Sequence, residues 1–330
     1  MSFRESSGNG NSHIPVEIYE GPFPPPADLR PAASPRRRLW TPLVLFLLTV
    51  VSTLAVGAEF ARSYAQNREP FSDNPDLVPM LLQPFTHPRI LALGIPFSFT
   101  LLGILLAHEL GHFFTCKYYG IDATYPYFIP APTLFGTFGA FIRIRSPIPT
   151  RRALFDVGFS GPLVGFVIAV PAMAYAVAVS KIVPGAAHDG VLFGTPPLVR
   201  LFIAWFHPGA APASLLLDPV GRAAWVGLFA TALNLLPVSQ LDGGHILYSV
   251  ASRFHQRISL AASLALVALG LYCWQGWILW GVILTVLSLR YRHPPLLDRW
   301  QPLGVSRRLW ALAALVIFLL CFTPWPATSP

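Results

Sequence analysis

Residues 95–116 read IPFSFTLLGILLAHELGHFFTC, an apolar run with the pentapeptide His108-Glu109-Leu110-Gly111-His112 set inside it. Residues four apart share one face of a helix, so both imidazoles can grip one metal ion while the glutamate beside them handles protons. A soluble metalloenzyme would carry such a motif on an ordinary helix. Here both flanks are lipid-like. Two histidines and a glutamate are costly to place in hydrocarbon, and residues of that kind mark functional sites in membrane spans.

Composition widens the same reading. The 330 residues are 54% hydrophobic and 12% charged, against about 25% charged in soluble domains. This excludes one large soluble core and points to an integral membrane protein. The net charge of +8 could suit nucleic acid, but the basic residues punctuate the ends of apolar runs, as topology signals do. No nucleic-acid partner is expected. Cys116, Cys273 and Cys321 lie in or at the ends of hydrophobic stretches without a CxxC pair and read as apolar fillers.

Residues 1–38, rich in Pro, Ser, Gly and Asn, end in Arg36-Arg37-Arg38 and are expected to form a disordered tail. The run 39–60 is long enough for a retained first span rather than a cleaved signal. Further apolar runs cover 90–115, 153–179, 223–238 continuing towards 250, 258–273, 277–289 and 309–322. The expected fold is an all-α, multi-pass membrane protein with six to seven spans, the doubt lying in the short pair around Gln275-Gly276. Residues 90–250 form the core and 251–330 add C-terminal spans. With the N-terminus cytoplasmic and seven alternating spans, the inner side holds seventeen Lys and Arg and the outer side six, together the 23 of the chain. That sign obeys the positive-inside rule. A bacterial inner membrane is the expected host.

Helix rise gives depth. His108 lies 19 residues past Arg89, about 28 Å at 1.5 Å per residue, within the membrane but towards its cytoplasmic face. A zinc site needs a third protein ligand and an open position. The best stretch is 234–245, NLLPVSQLDGGH, where Asp242 and His245 are both candidates. Asp242 lies 20 residues past Arg222, a depth of about 30 Å, although Pro237 must break the helix and blur that figure.

HELGH in one span and NLLPVSQLDGG in a later one resemble the two signatures, HExxH and NxxPxxxLDG, of the site-2 protease family of intramembrane zinc metalloproteases. Residues 136–166, GTFGAFIRIRSPIPTRRALFDVGFSGPLVGF, also resemble bacterial and chloroplast members, and the likeness covers roughly 90–250. It implies Zn2+ as cofactor, with His108, His112 and Asp242 as ligands and Glu109 as general base. Asn234 would bind substrate or polarise the scissile carbonyl. Transmembrane proteins in the bilayer would be the substrates. Residues 181–222 are too few for an inserted PDZ domain, so loops, the tail or a regulatory membrane partner would screen substrates.

Within 135–145, Phe138, Ala140, Ile142 and Ile144 alternate with their neighbours in a strand pattern. A membrane-associated hairpin is expected there, with Gly139 and Phe141 on an edge that captures an extended substrate by strand addition. Ser160-Gly161-Pro162 and Gly165 read as helix packing against the HELGH span, Asp156 as an interfacial charge near Arg151 and Arg152, and 198–207 as an amphipathic interfacial piece. His13, His87, His188, His207, His255 and His293 read as structural or solvated. Two rivals stand beside the protease: a catalytically silent homologue that binds membrane segments, and a membrane zinc protease acting on non-transmembrane chains. A transporter would show internal repeats, and none is visible.

Overall fold

The computed structural model describes residues 39–71, 88–183, 191–290 and 302–328. The expected tail at 1–38 and His13, His87, His188 and His293 lie outside the described residues.

Ten helices are described: α1 (Trp40–Ala65), α2 (Pro88–Ala92), α3 (Ile95–Tyr118), α4 (Arg151–Ala178), α5 (Pro197–Phe206), α6 (Pro219–Asn234), α7 (Asp242–Ala251), α8 (His255–Tyr272), α9 (Gly276–Arg290) and α10 (Val305–Cys321). Three of them, α1, α3 and α4, are long and apolar enough to cross a membrane. Helices occupy the other expected spans, but α6, α8, α9 and α10 have 15 to 18 residues, roughly 22–27 Å, short of the ~30 Å hydrocarbon layer. The fold is thus mostly helical with three span-length helices, and the count of seven is not carried by helix length.

Local chemistry sets the boundaries. Thr150 caps α4 by accepting from the Ala153 N–H, and Asp218 caps α6 by accepting from the Gly221 N–H, with Pro219 at the first helical position. The run from 223 towards 250 is not continuous. α6 stops at Asn234, ahead of Pro237, and a loop of seven residues intervenes before α7 starts at Asp242. The depth count for Asp242 therefore holds only as far as Asn234.

α3 sits at the centre, packed against α4, α6 and α1, while α4 also packs on α6 and α7. α1 meets the start of α3 closely. A Cβ on Gly94 would overlap the Leu54 carbonyl, and Thr53 and Ser98 hydroxyls hydrogen-bond at 2.7 Å. Phe97, Leu101 and Ile104 of α3 and Trp225 and Leu228 of α6 are fully buried.

The expected hairpin is present: β1 (Tyr127–Pro130) pairs antiparallel with β2 (Thr137–Phe141), Tyr127 opposite Phe141 and Phe128 opposite Ala140. Four further two-residue strands, β3 (Lys181–Ile182), β4 (Leu192–Phe193), β5 (Leu215–Leu216) and β6 (Ala327–Thr328), form the pairs β3–β5 and β4–β6.

Two charges differ from their expected roles. Arg222, counted as a loop charge, is buried and paired with Glu69 at 2.5 Å; the partner sits 153 positions away and cannot be read from local sequence. Asp156 is held by Arg307 through two bonds of 2.8 and 2.7 Å and accepts from the Tyr119 hydroxyl. Burial, and then Asp156, raises the Tyr119 phenol above its usual range, so it stays protonated as a donor. Arg151 instead donates to the Ser249 carbonyl at 2.7 Å, tying the start of α4 to the end of α7.

Candidate metal centre

His108 and His112 lie on successive turns of α3 and are buried. Their Nε2 atoms are 3.1 Å apart. The Oδ2 atom of Asp242, the first residue of α7, is 3.2 Å from His108 Nε2 and 3.3 Å from His112 Nε2. Tetrahedral zinc with bonds near 2.0–2.1 Å separates its ligand atoms by about 3.3 Å, so this triangle fits the ion. Two neutral imidazoles and one carboxylate are also a donor set zinc accepts. Among the described residues, these three form the group able to hold a metal. His245, the rival ligand, lies outside that group but lines the same cavity.

His112 is oriented from behind. Its Nδ1 donates to the Val157 carbonyl at 2.7 Å, which leaves Nε2 with its lone pair towards the metal position. Glu109, between the two histidines in sequence, is buried. Asn234, at the end of α6, places Nδ2 3.3 Å from His108 Nε2. His108, Glu109, His112, Asn234 and Asp242 share a cavity of about 200 Å³ that Ala140, Phe141 and Ile142 flank. A second cavity of about 170 Å³ shares His108, Glu109 and Asn234 and runs on between Phe138, Gly139, Trp280 and Leu284.

α4 packs against α3 beside this group. Gly158, Gly161 and Gly165 share one face, spaced three and four apart. A Cβ on Gly161 would overlap the His112 ring, and one on Gly165 would sit 3.2 Å from His108 Nδ1. A Cβ on Gly158 would lie 2.8 Å from the His245 Cβ and 3.1 Å from the Asp242 carbonyl. The expected packing against the HELGH helix is present, and it falls directly against His108, His112 and the Asp242 backbone.

Gly139 and Phe141 lie on β2 beside these cavities. Gly139 has φ +101°, a conformation that excludes most L side chains. Phe141 is half exposed and stacks on Tyr127 across the hairpin. The Thr124 amide bonds the Arg143 carbonyl, so by alternation Phe141 addresses β1 while Ala140 and Ile142 turn their backbone groups outward. His207 and His255 bond the Val177 and Ser239 carbonyls at 2.7 and 3.3 Å.

Known proteins give this arrangement its context. Probable zinc metalloprotease EGY1, chloroplastic, of Arabidopsis thaliana is 31% identical over 301 residues, covering 86% of this chain and 52% of the relative. Its namesake in Oryza sativa subsp. japonica is 27% identical, covering 86% and 50%. Probable zinc metalloprotease EGY2, chloroplastic, of Arabidopsis thaliana is 30% identical over 205 residues, covering 59% and 35%. The chain spans about half the length of the first two relatives. Zinc is the metal all three are named for, and their chloroplast designation lends no support to a bacterial inner membrane. The model of peptidase family M50 matches residues 96–273. Since that segment is more than half of the chain and contains His108, Glu109, His112, Asn234 and Asp242 together, the chain belongs to peptidase family M50.

Proposed function

We propose that this chain is a zinc-dependent intramembrane endopeptidase that hydrolyses peptide bonds of transmembrane substrates near one face of the bilayer. The observation that carries the reading is the triangle of His108 Nε2, His112 Nε2 and Asp242 Oδ2, with sides of 3.1 to 3.3 Å, two of its corners on a helix of span length. His108, His112 and Asp242 are the metal ligands. They would hold a zinc ion that, when bound, would lower the pKa of a water to about 7 and polarise a carbonyl. Glu109 accepts the proton of the attacking water and passes it to the leaving amine. Glu109 lines the cavity beside Ile142. Asn234 lies close enough to His108 to donate from Nδ2 to the scissile carbonyl.

A substrate helix must be extended before its backbone reaches this group. Ala140 offers an outward N–H and C=O, and Ile142 an outward C=O, on the free edge of β2. An extended substrate added there runs past Glu109. Gly139 lets that edge bend, and Phe141 flanks it. In the membrane we place the N-terminus and the metal centre on the side where Lys and Arg gather, the cytoplasmic side in the positive-inside sense. The shorter apolar helices complete a bundle of six to seven spans.

Glu109→Gln in the full chain tests the proposal. The expected variant keeps zinc at the wild-type ratio while uncleaved membrane proteins accumulate relative to wild type. Identical membrane proteomes, with zinc bound in both chains, would establish the silent homologue instead.

A further inference from the structure

The loop at 235–241 has a demanding task. Within seven residues it turns the chain out of α6 and delivers Asp242 against α3. Ser239, at its centre, has φ +50°, the left-handed region that L residues other than Asn and Asp seldom occupy. Such backbone persists only where surrounding structure holds it.

The hold comes from α8. The Ser259 hydroxyl accepts from the Ser239 N–H at 3.2 Å and donates to the Pro237 carbonyl at 3.2 Å. His255 Nε2 donates to the Ser239 carbonyl at 3.3 Å. Both backbone groups of Ser239 are therefore tied to two side chains on the first two turns of one helix. All three residues are buried. The loop in turn rests directly on α7. A Cβ on Gly243 would overlap the Leu235 carbonyl and one on Gly244 the Ser239 carbonyl, while the Leu241 amide bonds the Val238 carbonyl at 3.1 Å. With backbone against backbone and no side chain between, a shift of Ser239 carries over to Asp242. The far end of α7 is already fixed by Arg151 on the Ser249 carbonyl.

We infer that His255 and Ser259 are positioning residues for the carboxylate of Asp242, fixing the left-handed Ser239 and so the third ligand's place beside the two histidines. Neither residue belongs to the ligand group itself. The inference rests on the zinc reading above.

The test uses the full chain in detergent, comparing wild type, Ser259→Ala, His255→Leu and His255→Gln. Zinc release to a chromophoric chelator and the visible spectrum of the Co2+-substituted protein are measured alongside thermal unfolding. Removing partners that orient a ligand costs about 10- to 100-fold in metal affinity. Ser259→Ala and His255→Leu are expected to release zinc faster by that order and to change the Co2+ bands. His255→Gln, which keeps a donor for the Ser239 carbonyl, restores slow release. In an Asp242→Asn background the Ser259→Ala effect is expected to shrink, because the ligand it positions is already impaired. If His255→Leu does not fold, Ser259→Ala, which deletes one hydroxyl, decides alone. Wild-type release rates and Co2+ bands in Ser259→Ala overturn the inference, as does an effect undiminished by Asp242→Asn, the mark of general loosening. A wild-type chain that holds no zinc overturns the parent reading and this inference with it.

Discussion

Gly161→Ala puts the platform under the ligands to its sharpest test. The added methyl would overlap three atoms of the His112 ring: Nε2, Cε1 and Cδ2. Parting α3 from α4 would give up their close backbone contact, where Gly111 faces the Ser160 carbonyl. The ring must move instead, and Nδ1 is already engaged with Val157 at 2.7 Å. Overpacking of a filled core costs about 1–3 kcal/mol. Zinc tolerates ligand distances only to about ±0.2 Å, so much of that cost falls on the metal. At about 1.4 kcal/mol per decade, zinc affinity should fall roughly 10- to 100-fold. Gly165→Ala meets His108 at 3.2 Å and should fall less, whereas Gly103, also on α3, has open space and should not respond. Competition titration with a zinc chelator in detergent measures all three. Equal affinities for Gly161→Ala and Gly103→Ala would refute the platform.

Three further outcomes follow from other parts of the structure. Arg222→Met alone strands the buried Glu69 carboxylate and should cost about 3–5 kcal/mol in detergent unfolding, while the double change with Glu69→Leu should recover much of it. Equal losses in single and double variants would show that the pair is not the cause. Gly139→Ala meets no steric neighbour but is strained at φ +101°, so it should lose about 1 kcal/mol or more and slow cleavage while zinc content stays constant; unchanged cleavage argues against the strand edge. Arg307→Lys keeps the charge but not the two-pronged grip on Asp156, and should lower thermal stability by about 1 kcal/mol, much as Arg307→Ala does. Full stability in the lysine variant would show that charge alone suffices.

How far these features were legible varied with the range of the interaction. The HELGH pair was readable because i and i+4 positions share a helix face, and nothing distant changes that. The alternation at 137–144 foretold β2, but not the positive φ of Gly139, which depends on the bend against β1. Asp242 was separated from His245 by family resemblance; counting helix rise could not do so, since the helix ends at Asn234. Arg222 looked like a solvated loop charge because its counter-ion, Glu69, lies far away in sequence. The support of Ser239 by Ser259 and His255 is another long-range arrangement, with no period to betray it. Local periodicity survives in sequence; burial and partner choice do not.

Zinc-edge X-ray absorption on the purified full chain, with metal content, addresses the centre most directly. The expected wild type holds one zinc per chain in a shell of nitrogen and oxygen donors near 2.0–2.1 Å, two of them imidazoles. Asp242→Ala should keep the imidazole signature with sharply weakened retention, and His108→Ala with His112→Ala should abolish binding. A zinc shell unchanged by Asp242→Ala, or zinc that survives loss of both histidines, would contradict the three-ligand centre.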